Sequence, residues 1–133
     1  MSTRSMLCIK QSDGSLKSMF KHWDGYPSFM VPFLEKYDTD ELAEELVRFE
    51  TVQSLLTEEQ LQHNLEAFPQ SNDWAEEKLY KLSTGDYMVD GDGVPKIYAN
   101  LRELFHEEWP VDYVYVWNGY KWVIIDPDAD EIK

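Results

Sequence analysis

A chain of 133 residues with 43% hydrophobic and 14% aromatic side chains can bury one real core, is too short for two domains, and is far from a disordered composition. Its formal net charge of −14 is unevenly placed: residues 1–34 carry four basic and two acidic side chains, and residues 35–133 carry eight and twenty-four. Such a surface repels nucleic acid, whose affinity for proteins comes largely from neutralised phosphates, and no apolar run approaches the roughly 18 residues of a membrane span. Neither direct nucleic-acid binding nor a membrane partner is therefore expected.

The N-terminus lacks the basic-then-apolar pattern of a secretory leader, and one cysteine, Cys8, excludes an internal disulfide. A cytoplasmic protein is expected, with Cys8 as a small buried hydrophobe in a strand.

In chain order, residues 5–10 and 16–22 read as short strands joined by Ser12-Asp13-Gly14-Ser15, a good hairpin connection. The chain then turns at Asp24-Gly25-Tyr26-Pro27, and the apolar run Phe29–Leu34 follows. Pro32 does not suit a helix interior, so a helix is expected to start near Pro32 or to kink there. Asp38-Thr39-Asp40-Glu41 offers an N-cap, with Leu42, Leu46, Val47 and Phe49 as one apolar stripe. Thr57-Glu58-Glu59-Gln60 is a capping box, with Leu56 and Leu61 at the staple positions and Leu65 continuing the face.

A third helix is predicted from Asp73 to Leu82. Residues 83–95 are predicted as a loop with a short strand at Tyr87-Met88-Val89. Ile97, Leu101, Leu104 and Phe105 mark a last helix ending near Trp109-Pro110. Residues 112–117 and 121–125 flank Asn118-Gly119-Tyr120, where Asn-Gly favours the positive φ of a tight turn. The predicted class is α+β in a single domain, residues 1–133. Two β-hairpins, N- and C-terminal, form an antiparallel sheet packed on one face by the intervening helices.

The opening Met1-Ser2-Thr3-Arg4-Ser5, the strand after it, Asp13-Gly14 and then His22-Trp23-Asp24-Gly25-Tyr26 resemble a family of small phage, prophage and plasmid proteins. The match covers about the first 26 residues, with the aromatic closing hairpin as looser support. Where that family tends to carry a glycine soon after this element, Pro27–Pro32 holds none. The resemblance implies a mobile-element origin and action inside a bacterial host cell. It implies no particular activity.

Arg4, His22, Trp23, Asp24 and Tyr26 form the first candidate site. If the first two strands pair antiparallel, Arg4 lies near the hairpin end where His22 emerges. A guanidinium, an imidazole and a carboxylate converging there would suit a phosphate or carboxylate, with a nucleotide as the ligand class. The competing reading is structural: Arg4 pairs with Asp24 and His22 packs on Trp23, closing the turn.

No catalytic residue, metal ligand or cofactor is assigned. The three histidines fall on separate elements, no G-x-S-x-G, P-loop or G-x-G-x-x-G pattern occurs, and an enzyme is the less favoured class. Asp126, Asp128 and Asp130 have calcium-loop spacing but lack its turning glycine, and read as an acidic tail.

The second candidate is a partner surface. Glu35, Asp38, Asp40, Glu41, Glu44, Glu45 and Glu50 fall within sixteen residues, and Glu41, Glu44 and Glu45 lie opposite the apolar stripe of their helix. They read either as an ordinary solvated face or as an imitation of duplex phosphates that fits a basic cleft. Tyr113, Tyr115 and Trp117 share one face of their strand and Val114 and Val116 the other. The valine face is expected against the helices, and the aromatic row is either covered or exposed as a contact surface. Three functional readings follow. The first is a protein that binds a host macromolecule, with a nucleic-acid-handling or defence protein as target. The second is a pocket at Arg4/His22/Asp24 that binds or hydrolyses a nucleotide or small molecule, with His22 as a general base in the latter case, and the third a homodimer through the aromatic strand.

Overall fold

Ser5–Lys10 form β1, in which Ser5 and the four residues after it are buried. A strand apolar on both faces has cover on both, and β1 lies inside the main sheet rather than at its edge. The computed structural model describes residues 3–67 and 79–125. Beyond β1, these residues form β2 (Leu16–Lys21), α1 (Pro27–Leu34), α2 (Asp40–Leu46), β3 (Thr51–Val52), β4 (Ser54–Leu56) and α3 (Glu58–Ala67). They continue through β5 (Leu79–Lys81), β6 (Tyr87–Val89), β7 (Lys96–Tyr98), α4 (Leu101–Glu108), β8 (Tyr113–Trp117) and β9 (Trp122–Ile125).

The class is α+β. The main sheet runs β3-β2-β1-β8-β9, with β7 also pairing β2. β1 pairs antiparallel with β2 and β8 antiparallel with β9, but β1 pairs parallel with β8 and β2 parallel with β3. The sheet is therefore mixed, which corrects the expected antiparallel one. Parallel neighbours need a long crossover, and here the whole middle of the chain supplies it. A second, three-stranded antiparallel sheet runs β4-β6-β5.

The helices cover both faces of the main sheet, not one. Leu7, Ile9, Met19, Tyr115 and Trp117 face α1 and α2, meeting Met30, Phe33, Leu34, Ala43 and Leu46. Met6, Cys8, Leu16, Val114 and Val116 face α4, meeting Leu101 and Leu104. The valine side of β8 thus packs on a helix as expected, and the aromatic side packs on two others.

Several local expectations are revised. The helix after the turn begins at Pro27, whose fixed φ suits a first helical position, and Pro32 sits within its last turn. α2 is capped by Thr39, whose hydroxyl accepts from the Leu42 amide, but it ends at Leu46 and leaves Val47 and Phe49 outside the stripe. The capping box at α3 is reciprocal: the Gln60 amide donates to Thr57 Oγ1 at 3.1 Å and the Thr57 amide to Gln60 Oε1 at 2.9 Å. Leu56 and Leu61 pack together with Val89. Leu79–Lys81 is strand, so a helix does not reach Leu82, and the rest of that segment, residues 73–78, lies outside the described residues. Ile97 belongs to β7, and the last helix starts at Leu101 under an Asn100 cap.

Candidate functional site

The N-terminal element folds as a packed turn. Gly25 is the tightest point. A Cβ on it would lie 2.7 Å from Ser5 Cβ, Ser5 Oγ and the Thr3 carbonyl oxygen, so only glycine fits. Its amide donates to the Thr3 carbonyl at 2.8 Å, and its carbonyl accepts from the buried Tyr115 hydroxyl at 2.7 Å. Asp24 holds φ at 57°, in the left-handed region that aspartate tolerates better than most residues.

Beneath the turn lies Lys21, fully buried and paired in register with Ser5. Its Nζ donates to the Trp23 carbonyl and stands 5.2 Å from the Phe29 ring centroid. Burial pushes its pKa down to about 8, against the opposing pull of Asp24. Ser5 Oγ is buried with no hydrogen-bond partner among the described residues. Sequence reasoning passed over both residues. The available signal was a lysine and a serine on the apolar side of an otherwise core-forming hairpin.

The five residues singled out there do not converge. Arg4 is exposed. Its amide donates to Asp112 Oδ2 at 2.8 Å, and its carbonyl accepts from the amides of Asp112 and Tyr113, tying the chain start to β8. No hydrogen bond or ion pair joins the Arg4 guanidinium to Asp24 or His22 among the described residues, so the expected Arg4–Asp24 pair is not made. His22 packs edge-on against Phe20, with centroids 4.7 Å apart, rather than on Trp23. Trp23 is half exposed and donates from Nε1 to Gln53 Oε1 at 3.1 Å. Tyr26 stands at the N-cap of α1, where its carbonyl accepts from the Phe29 and Met30 amides.

The acidic face of α2 is partly engaged. Glu44 pairs with Lys17 at 2.6 Å, a surface contact that contributes little. Glu45 accepts from the Ser83 hydroxyl at 2.6 Å and from its amide, bracing the β5–β6 turn. Glu41 is exposed. In the aromatic row, Tyr115 and Trp117 are buried and Tyr113 is half-buried, so the row is mainly core.

Where the cover of α1 and α2 stops short of β9, the aromatic side of the sheet opens into a groove of about 340 Å³. Its floor is Tyr115, Trp117, Trp122 and Ile124, and its wall is Val31, Leu34, Glu35 and Asp38, with Tyr120 and Lys121 at the hairpin end. The polar ends of the floor are tied down. Trp117 Nε1 donates to Asp40 Oδ1 and Trp122 Nε1 to the Tyr37 carbonyl, each at 2.8 Å. Trp117 and Tyr115 are buried beneath the groove, and its accessible apolar surface comes from the half-buried Trp122 and the exposed Ile124 and Val31, beside two carboxylates. Tyr115 and Trp117 thus reach the site from below, and Glu35 and Asp38 come from the acidic run of residues 35–50, while Trp122 and Ile124 were not foreseen. The available signal was the Trp122/Ile124 alternation in the last strand.

Cys8 is buried, receives a hydrogen bond from Ser18 Oγ at 3.2 Å, and has its thiol pushed up to about 12 by burial, so it is a packing residue. Among the described residues, no group of three or more His, Cys, Asp or Glu could hold a metal ion. Asp126, Asp128 and Asp130 lie outside the described residues. No helix among the described residues is long and apolar enough to cross a membrane. No protein-family model, curated protein or solved structure matches the chain.

Proposed function

We propose that this protein works by binding a basic surface of a host macromolecule, and that the groove between α1 and the β8–β9 hairpin is where it does so. One observation carries the reading: a groove of about 340 Å³ beside Trp122 and Ile124, bordered by Glu35 and Asp38 with Lys121 at its hairpin end, on a chain of net charge −14. That volume is at the low end of the roughly 300–1,000 Å³ common for ligand sites. Rigid aromatic area with neighbouring carboxylates suits the stem and head of an arginine or lysine side chain. The surrounding negative field speeds association and makes it salt-dependent.

The resemblance of the N-terminal element to phage and plasmid proteins directs the proposal to a host partner, with a nucleic-acid-handling or defence protein as the target class. Inhibition by occupying a basic cleft is the mode this implies. The acids of α2 contribute field rather than a mimic of spaced phosphates, because Glu44 and Glu45 also serve internal contacts. The reading of a nucleotide pocket at Arg4/His22/Asp24 is not favoured, because among the described residues no hydrogen bond or ion pair joins these three side chains and His22 packs on Phe20 instead.

The test is capture from bacterial lysate by the tagged protein at low and moderate salt, with the double variant Glu35→Lys/Asp38→Lys alongside. A basic protein retained at low salt, shed at higher salt and lost with the double variant is the expected result. A captured set indifferent to both salt and charge reversal would overturn the proposal.

A further inference from the structure

β9 is the terminal strand of the main sheet and pairs only with β8 among the described residues. Edge strands are usually blunted by proline, inward charge or a bulge, and Trp122-Val123-Ile124-Ile125 carries none of these. Its register is continuous, with Trp117↔Trp122, Val116↔Val123, Tyr115↔Ile124 and Val114↔Ile125. The Asn118 amide donates to the Lys121 carbonyl at 3.1 Å, so that pair is hydrogen-bonded. Alternation along an antiparallel ladder then makes Val123 the next bonded residue and directs the N–H and C=O of Trp122 and Ile124 away from β8.

The side chains of those same two residues lie on the groove floor, with Ile124 44% exposed. Among the described residues, unpaired backbone and apolar groove surface therefore belong to one stretch of chain. Val123 and Ile125 point to the opposite face, toward the α4 core.

Resting on the reading above, we infer that β9 receives an extended strand from a partner protein, with arginine or lysine at every second position. The added strand pairs with the outward N–H and C=O of Trp122 and Ile124. Its alternate side chains fall on the groove side, where their stems lie along the floor and their cationic heads meet Glu35 and Asp38. Charge decides against a second copy of this chain as the occupant. Self-pairing would bring together two molecules of charge −14, each with its own Glu35/Asp38 wall.

The probe is a fluorescent eight-residue peptide alternating arginine with threonine, compared with its glutamate-for-arginine counterpart and with a backbone N-methylated copy. Anisotropy measures binding, and amide hydrogen exchange reports on Trp122 and Ile124. We expect the arginine peptide to bind and to slow exchange at both amides. Affinity should fall about tenfold or more on N-methylation, in Glu35→Lys/Asp38→Lys and in Ile124→Pro. Proline at Ile124 removes an outward N–H and leaves the β8 ladder intact, and circular dichroism checks that it folds. Should that variant unfold, the N-methylated peptide on the unaltered protein decides the point.

Binding that survives N-methylation, with no added protection at Ile124, would overturn strand addition and leave the basic-partner reading standing. No binding of the arginine peptide would also overturn strand addition, and salt-dependent capture from lysate would then judge the broader reading separately. Dimerisation through β9, seen as concentration-dependent mass, would replace the partner strand with a second copy.

Discussion

Tyr115 joins two contrasting regions on the same face of the sheet. Its hydroxyl locks the Gly25 carbonyl in the N-terminal turn, and its ring lies in the floor of the groove beside β9. The turn is closed: a glycine without room for a Cβ, a buried lysine capping a carbonyl, and a serine hydroxyl beneath it with no partner among the described residues. The groove is open, with its indole N–H groups tied down, Ile124 exposed, and the outer edge of β9 unpaired among the described residues. The more conspicuous sequence belongs to the closed region. A run such as His22-Trp23-Asp24-Gly25-Tyr26 catches the eye because a tight turn restricts what can stand there, and that restriction needs no ligand.

The strongest way to break the comparison is at Gly25. Gly25→Val places a branched side chain 2.7 Å from Ser5 and the Thr3 carbonyl, and a backbone oxygen cannot give way as a flexible side chain would. A loss of about 3 kcal/mol or more is expected in urea denaturation, typical of severe overpacking at a fixed backbone. A loss below about 1 kcal/mol would mean that the turn opens freely and that closure is not its property.

Nearly as large is the pH dependence of Lys21. Its folded pKa of about 8 lies below the ordinary 10.5, so between those values the unfolded chain holds the extra proton. Stability therefore rises with pH through that window, and the cost of the buried charge is fully present below it. The full swing is about 3 kcal/mol, from the shift at 1.36 kcal/mol per pH unit. Cys8, Tyr37, Tyr98 and Tyr115 are all held above their usual values by burial, so stability falls again once the unfolded thiol, and then the unfolded tyrosines, begin to ionise. Urea midpoints taken from about pH 7.5 to 9 should climb in the parent, whereas in Lys21→Met they should not rise and should decline slightly as the unfolded Cys8 thiol begins to ionise.

How much of this was legible in the sequence depended on how local its cause was. The α3 capping box and the Asn118-Gly119 turn are set by neighbours a few residues apart, and both follow from their residues. Gly119 takes φ 98°, and Asn118 Oδ1 accepts from the Tyr120 and Lys121 amides at 2.9 Å. Cover on both faces was also present in the letters. Met6-Leu7-Cys8-Ile9 and Val114-Tyr115-Val116-Trp117 do not alternate with polar residues as a one-sided strand does.

The parallel β1–β8 pairing was not legible, because it joins segments more than 100 residues apart and no local residue encodes it. The groove was illegible for a related reason. It exists where α1 and α2 end relative to β9, and that is a property of packing rather than of a motif.

A smaller effect separates conformation from chemistry at Asp24. With φ at 57°, Asp24→Gly relieves a left-handed aspartate but loosens the unfolded chain, and the two effects nearly cancel. Stability within about 0.5 kcal/mol of the parent is expected, whereas Asp24→Val, branched at Cβ, should lose about 1–2 kcal/mol. Because the Asp24 carboxylate favours the charged lysine, Asp24→Gly should also shift the Lys21-dependent rise to lower pH. Loss of stability in the glycine variant equal to that in the valine variant would assign Asp24 a contact rather than a conformation.

The smallest effect belongs to the groove, and it decides whether that region is open in energy as well as in shape. Tyr120 is 88% exposed and Ile124 44%, so Tyr120→Ser removes area that folding has left in water, and Ile124→Thr removes area of which much is still in water. Each should change stability by no more than about 0.5 kcal/mol, the usual range for surface positions, and threonine keeps the strand preference at Ile124. Binding of a basic partner should fall in both variants, because these are the side chains left available at the mouth and on the floor. Stability and binding then respond to different residues, which is what a turn built for closure and a groove built for contact require. If Ile124→Thr instead costs about 2 kcal/mol, the floor is core that happens to be near the surface, and the two regions differ only in degree.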